Sequence, residues 1–169
     1  MPQRASVRVR RAGPADLPAL LALEHHAFAS DRMSPRQFRY HLRHPRNRLL
    51  VAEAEGLLLG AALLMLRRGA RSARLYSIAV AESARGRGIG RRLLSRCEQE
   101  ARAAGAERMV LEVRSDNEAA LALYRKMGYQ PFAHRRHYYE DGADAIRLRK
   151  ALPRRAARAG QKSAAEMRR

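Results

Sequence analysis

The segment from Ala73 to Ala104 constrains the fold of this chain more than any other. "ARLYSIAV" (Ala73 to Val80) reads as a buried strand. It runs into a glycine turn, "RGRGIG" (Arg85 to Gly90), and then into a helix from about Gly88 to Ala104. Ile89, Leu93, Leu94, Cys97 and Ala101 make one apolar stripe along that helix, so it must lie against the sheet that holds the strand. The first amides of such a helix have no partner inside it, and the helix dipole adds partial positive charge there. Glycines let a phosphate approach the backbone closely. Arg85, Arg87, Arg91 and Arg92 add charge around the turn, which is therefore expected to hold a phosphate or pyrophosphate. A plain helix start with surface arginines is the alternative.

The remaining elements follow from pattern. "SVRVRR" alternates as a first strand near Ser6 to Arg11. "GPADLPALLALEHHAF" is a helix with Leu17, Leu20, Leu21 and Phe28 on or near one face. Ser34 as N-cap and Pro35 at the first helical position begin a second helix, ending about Arg43. "RLLVAEAEGLLLGAALLML" is a hairpin turning at Glu55–Gly56, and "RMVLEVR" (Arg108 to Arg114) is the next strand. "NEAALALYRKMGY" is a helix closed by Gly128, and "PFAHRRHYYEDGADAIRLRK" is a final hairpin turning at Asp141–Gly142. The order β-α-α-β-β-β-α-β-α-β-β gives an α/β (α+β) class with helices on both faces of a mixed sheet. Residues 1–152 are expected to form one domain, and residues 153–169 a flexible basic tail.

The formal net charge is +19, from 35 basic and 16 acidic residues. Such a surplus suits a nucleic acid or another polyanion. Nearly all the basic residues are arginine, however, and alanine is abundant, as in chains from G+C-rich genomes. The aromatics are few and are not expected to interleave with the basic residues as a stacking platform requires. Nucleic acid is thus a possible partner and not the expected main one. The N-terminus carries no apolar signal segment, and no apolar run approaches the roughly 20 residues of a membrane span. The single cysteine, Cys97, falls on the apolar stripe and reads as core, not as a nucleophile. These features lead to the expectation of a cytoplasmic protein with no membrane partner, as a monomer or homodimer.

Two nucleotide motifs are excluded. A G-x-G-x-x-G pattern fails because Arg91 or Leu93 stands where its third glycine belongs, and no G-K-[ST] is present. The turn does resemble the acetyl-CoA motif Q/R-x-x-G-x-G/A of the GNAT N-acetyltransferase superfamily, with Arg85, Gly88 and Gly90 at its fixed positions. "LEVRSDNEAALALYRKMGY" and "RRHYYEDGADAIRL" are similar to the RimI-type branch, which acetylates protein N-termini. The likeness covers Ala73 to Arg149 well, and Val7 to Leu66 by element order alone.

The resemblance implies a mixed sheet of about seven strands with about four flanking helices, splayed between its fourth and fifth strands. It also implies acetyl-CoA as co-substrate. The backbone of Ile78, Ala79 and Val80 would pair with the pantetheine arm, and the Val80 amide would face the thioester oxygen. The amides of Arg85, Gly86, Arg87, Gly88, Ile89 and Gly90 would take the pyrophosphate.

Glu112 shares a strand face with Val110 and Arg114, opposite Met109, Leu111 and Val113. A carboxylate in so apolar a strand can accept a proton, directly or through water. The resemblance gives it the base role; a carboxylate merely paired to an arginine is the alternative. Tyr124 follows Asn117 by about two helical turns, so both face one side of their helix. A phenol is protonated at neutral pH and can donate to a thiolate. The resemblance makes Tyr124 the acid and Asn117 a coenzyme contact; core packing and plain N-capping are the alternatives.

Tyr138 and Tyr139, with Glu140, Asp141 and Asp144, are candidates for the acceptor side, since acids suit an ammonium and tyrosines a peptide backbone. Ordinary loop chemistry would account for them equally. The wall from Phe28 to Tyr40 matches no motif. The histidine pairs lack a third ligand, and the reaction needs no metal. The expected function is acetyl transfer from acetyl-CoA to a primary amine, foremost the α-amine of a protein or peptide. A small amine (polyamine, amino acid or antibiotic) or an internal lysine is the rival acceptor, and a non-catalytic acetyl-CoA- or RNA-binding module the rival class.

Overall fold

The computed structural model describes residues 5–154; most of the expected basic tail, from residue 155 on, lies outside them. In chain order the elements are β1 (Arg8–Arg11), α1 (Leu17–Ala27), α2 (Pro35–Arg43), β2 (Asn47–Ala54), β3 (Leu57–Met65), β4 (Ser72–Val80), α3 (Ile89–Ala103), β5 (Arg108–Arg114), α4 (Glu118–Lys126), β6 (Gln130–Arg135) and β7 (Ala145–Ala151). Seven strands form one sheet in the order β1-β2-β3-β4-β5-β7-β6. All neighbours are antiparallel except β4 and β5.

The local signals act as their chemistry dictates. The Ser34 hydroxyl accepts from the Gln37 amide at 3.2 Å, and the Gln37 side chain accepts from the Ser34 amide at 2.8 Å, so α2 begins in a reciprocal cap. Glu55 and Gly56 both take positive φ (52° and 75°), as a tight hairpin turn between β2 and β3 needs. One expectation is corrected. β6 and β7 are joined not by a tight turn at Asp141–Gly142 but by a long loop, residues 136–144. The Asp141–Gly142 turn sits inside this loop, where the Gly142 amide donates to the Tyr139 carbonyl at 2.9 Å.

The sheet separates two cores. Under α3 and α4 lie Leu50, Leu64, Leu75, Met109, Leu111 and Leu148, meeting the α3 stripe of Ile89, Leu93, Leu94, Cys97 and Ala101. On the other face, Leu20 and Leu23 of α1 and Phe38 of α2 meet Leu49, Val51 and Leu63 of the sheet. Gly60 in β3 sets how closely α3 approaches. A Cβ there would stand 2.9 Å from the Ala79 carbonyl oxygen and 3.0 Å from side-chain atoms of both Ile89 and Leu93.

One carboxylate is buried in α1. Glu24 is 6% exposed and accepts from the Met33 amide at 2.9 Å, which ties the α1–α2 loop to the helix. Burial pushes its carboxyl above the ordinary range, while the Met33 N–H and Arg32 pull the other way.

Two stability measurements test these contacts. Gly60→Ala drives a methyl into a main-chain oxygen and should cost about 1–3 kcal/mol, a Tm loss of roughly 3–10 °C. An unchanged Tm would mean that α3 has slack over β3. Glu24→Gln keeps an acceptor for Met33 without the desolvated charge, so it should match or exceed wild type in Tm, whereas Glu24→Ala should lower it. A raised folded-state pKa means that the wild type loses stability as pH rises through the carboxylate range. The Gln variant's advantage should therefore grow between acid and neutral pH. A Gln variant as unstable as the Ala variant would show that the charge itself holds the loop.

Candidate active site

The site begins where two strands part. β4 and β5 pair in parallel only from Ser72–Arg108 to Leu75–Leu111. Beyond that, β4 runs to Val80 held by β3, and β5 runs to Arg114 held by β7. The register of β3 with β4 slips between Leu63 and Leu64, and Tyr76 is the extra residue. Ala81 donates to the Leu59 carbonyl at 2.8 Å. Antiparallel alternation from that bond makes Ala79 and Ala61 a hydrogen-bonded pair. The N–H and C=O of Ile78 and Val80 therefore face away from β3, into the gap. Ala79 differs from the expectation: its polar groups face β3 and its methyl is buried in the α1–α2 core.

Next to the gap stands the glycine turn. Gly86 and Gly88 hold φ of 77° and 75°, values that favour glycine. Gly88 is the N-cap of α3, and no side chain caps the helix. The first helical bond inward comes from Arg92 to the Gly88 carbonyl at 3.1 Å. The amides of Ile89, Gly90 and Arg91 precede it and have no partner within the helix. Arg85, Gly86, Arg87 and Gly88 are exposed, while the Ile89 side chain is buried in the core, so only its backbone is available. A Cβ on Gly90 would come within 3.2 Å of Leu123 on α4 and 3.7 Å of Val80 on β4.

A cleft of about 550 Å³ opens at the mouth of the gap. Glu112 and Tyr124 both line it, as do Asn117, Ile78, Tyr138 and Tyr139. Glu112 is on the strand face expected for it, but its surroundings are not apolar. Its side chain is 10% exposed, with Arg74 Nε 3.1 Å from one oxygen and Arg147 Nε 3.2 Å from the other. Each arginine comes from a strand beside β5, a pairing that only sheet order reveals. Tyr124 is 4% exposed and meets Tyr129 edge to face at 5.7 Å. Burial, above all, raises its phenol far above the ordinary value, so the hydroxyl stays protonated. The buried hydroxyl left without a partner among the described residues is that of its neighbour Tyr129. Asn117 caps α4, its Oδ1 accepting from the Ala120 amide at 3.1 Å, and faces the cleft as well. Cys97 is fully buried and its thiol is pushed up to about 12 by burial, which leaves no reactive thiolate.

The loop 136–144 forms one rim. The Tyr138 hydroxyl accepts from Arg74 at 3.1 Å. Tyr139 lies under the Arg114 guanidinium at 5.2 Å, and burial pushes its phenol up to about 12. Two of the three acids of this loop, Asp141 and Asp144, do not stand free for an ammonium. Asp141 takes both forks of Arg114 at 3.1 and 2.7 Å, and Asp144 accepts from the His137 amide at 3.0 Å and faces His134 at 3.1 Å. The opposite wall instead supplies Glu24 and Asp31. Asp31 also accepts from the Glu140 amide at 3.2 Å across the rim. Sequence reading missed both. The available signal was Glu24 itself, an acid beside Leu20 and Leu23 on the buried side of α1. Among the described residues no group of three or more metal-ligating side chains gathers, and no helix is long and apolar enough to cross a membrane.

Comparison with known proteins agrees with this architecture. The N-alpha-acetyltransferase RimI of Mycobacterium tuberculosis (strain ATCC 25618 / H37Rv) is 39% identical over 140 residues, which is 80% of this chain and 87% of that protein. The crystal structure of the ribosomal-protein-S18-alanine N-acetyltransferase from Escherichia coli superposes with a TM-score of 0.79 at 28% identity, covering 92% of this chain and 99% of that one. The yncA protein of Salmonella typhimurium, solved with its cofactor acetyl-CoA, gives 0.75 at 26% identity over 90% and 98% of the two chains. Proteins named for other acceptors, an IAA acetyltransferase and nourseothricin acetyltransferase, are also similar. Residues 16–129 match the Acetyltransferase (GNAT) family, and with the parted strands and the glycine-capped helix in place the chain belongs to that family of acetyl-CoA-dependent enzymes.

Proposed function

We propose that this enzyme acetylates the N-terminal α-amine of a protein or peptide by direct attack, as the RimI-type branch does. The observation that carries the reading is the shared cleft: a carboxylate fixed on both oxygens and a buried, protonated phenol line one space beside the parted strands. The residues fit acetyl-CoA, since unpaired amides lead α3 and the free edge of β4 faces the gap. That co-substrate supplies an acyl group activated as a thioester. Ile78 and Val80 orient it through backbone, Val80 N–H polarises the carbonyl, and the amides from Arg85 to Gly90 hold the pyrophosphate. Asn117 adds a side-chain contact. Glu112 receives the proton of the incoming ammonium, directly or through water, so that the neutral amine attacks. Tyr124 gives its proton to the departing sulfur and regains one from solvent.

On the acceptor side, Tyr138 and Tyr139 flank the peptide backbone, and Asp31 draws the ammonium toward the wall opposite them. A local acidic wall in so basic a chain favours an amine over an anionic acceptor.

The test is a panel read by mass spectrometry: peptides with free N-termini, N-blocked peptides with internal lysines, and small amines. One acetyl added to free N-termini alone is the expected result. Labelling confined to small amines would overturn the peptide reading. Tyr124→Phe should lower kcat by about 10²–10⁴-fold with little change in KM for acetyl-CoA; an unchanged kcat removes Tyr124 from the mechanism. The rate should climb with pH as acceptor amines of pKa about 8 deprotonate, and no tyrosine ionisation should reverse the climb below pH ~10.

A further inference from the structure

Arginines and aromatic rings alternate along residues 36–48, and the fold adds Arg74 and Tyr76 to them. Residues 32–52 and 66–76 together carry ten arginines, two histidines and no acid. These two segments meet at one end of the sheet, where Asn47 pairs with Met65 and the Leu66 amide donates to the Arg46 carbonyl at 3.0 Å. Among the described residues, no carboxylate pairs with Arg36, Arg39, Arg43 or Arg46 on and after α2. Arg48, Arg71 and Arg74 meet Glu100, Glu107 and Glu112, and the charge of the α2 side of this surface is left uncompensated.

Aromatic rings run through the same surface. Tyr40 stands 5.3 Å from His44 and 5.2 Å from His41, and His41 stands 6.3 Å from Tyr76, which β4 contributes. Arg74 then covers the Tyr76 ring at 5.5 Å. Tyr40 is 57% and Tyr76 42% exposed, two of the four large apolar side chains that the described residues leave open. The Asn47 amide fixes His41 at 2.8 Å, so the row does not depend on loose side chains.

We infer that this surface binds single-stranded nucleic acid, its arginines on the phosphates and its rings under unpaired bases. Both halves of the chemistry are needed. Arginines alone would suit any polyanion, but exposed rings set among them supply stacking, which only unpaired bases use. A membrane surface fits poorly, because the surface exposes no aliphatic side chain to insert. The row ends at the cleft: Tyr76 and Arg74 line both. The inference is independent of which amine is acetylated.

The test uses the full chain and fluorescence anisotropy. The probes are a labelled single-stranded RNA, the matching DNA, the RNA duplex, a polyglutamate peptide and anionic phospholipid vesicles. Single strands should bind best, with affinity falling steeply as salt rises from about 50 to 200 mM. Tyr40→Ala should weaken single-strand binding by about 5- to 100-fold without changing the salt slope. Arg39→Gln with Arg43→Gln should lower that slope by about 2. All three residues lie outside the cleft, so peptide acetylation by these variants should match wild type and report that they fold. An RNA preference over DNA would name the source, and equal binding would leave single strands as the class. Equal binding of polyglutamate, vesicles or duplex, or binding untouched by these variants, would overturn the inference.

Discussion

The parting of β4 from β5 is the constraint on which the rest of the site depends. Backbone N–H and C=O groups inside a fold must be paired, and a sheet normally pairs them with its next strand. Here the parallel ladder stops at Leu75 and Leu111, and the last turns of both strands are held from outside only, by β3 and by β7. Ile78 and Val80 are left with polar groups that face a gap. Tyr76, bulged at the point of divergence, belongs at once to the gap, the cleft and the exposed ring row. Gly60 and Gly90 then bring α3 close enough for its bare amides to stand beside that open edge.

Charge is arranged at two scales. The chain as a whole is strongly basic, yet the cleft is lined by Glu24, Asp31, Glu112 and Asp141 against Arg74 and Arg114. Glu112 and Asp141 are neutralised where they stand, and their arginines fix geometry more than they change net charge. Burial works on the other groups in one direction, toward the neutral, protonated form. It pushes Glu24 toward its neutral form and keeps Tyr124 in its protonated one.

Much of this was legible in sequence where the signal is local. The Ser34–Pro35 cap, the Glu55–Gly56 turn, the α3 stripe and the alternation that gives Glu112 its face all depend on neighbours within a few residues, and the elements lie where those signals put them. What was not legible depends on strand order. Nothing in the spacing of Arg74, Glu112 and Arg147 shows that they converge, because convergence needs β7 to lie between β5 and β6. Tyr76 joins Tyr40 for the same reason. The loop after β6 was misjudged because Asp141–Gly142 is a true turn signal placed inside a longer connection. The roles of the site residues themselves came from resemblance, which geometry can accommodate but spacing alone could not supply.

The alternation that turns Ile78 and Val80 outward has a consequence for how such an enzyme can change over generations. Groups that belong to the main chain are present whatever side chain is attached. One half of the cleft is thus insulated from most substitutions, so long as the strand, the bulge and the glycines persist. The other half is written in side chains, many of them on two loops that a bond between Asp31 and the Glu140 amide joins across the rim. Drift in those loops can redirect the catalyst to a new amine without having to reinvent its donor end.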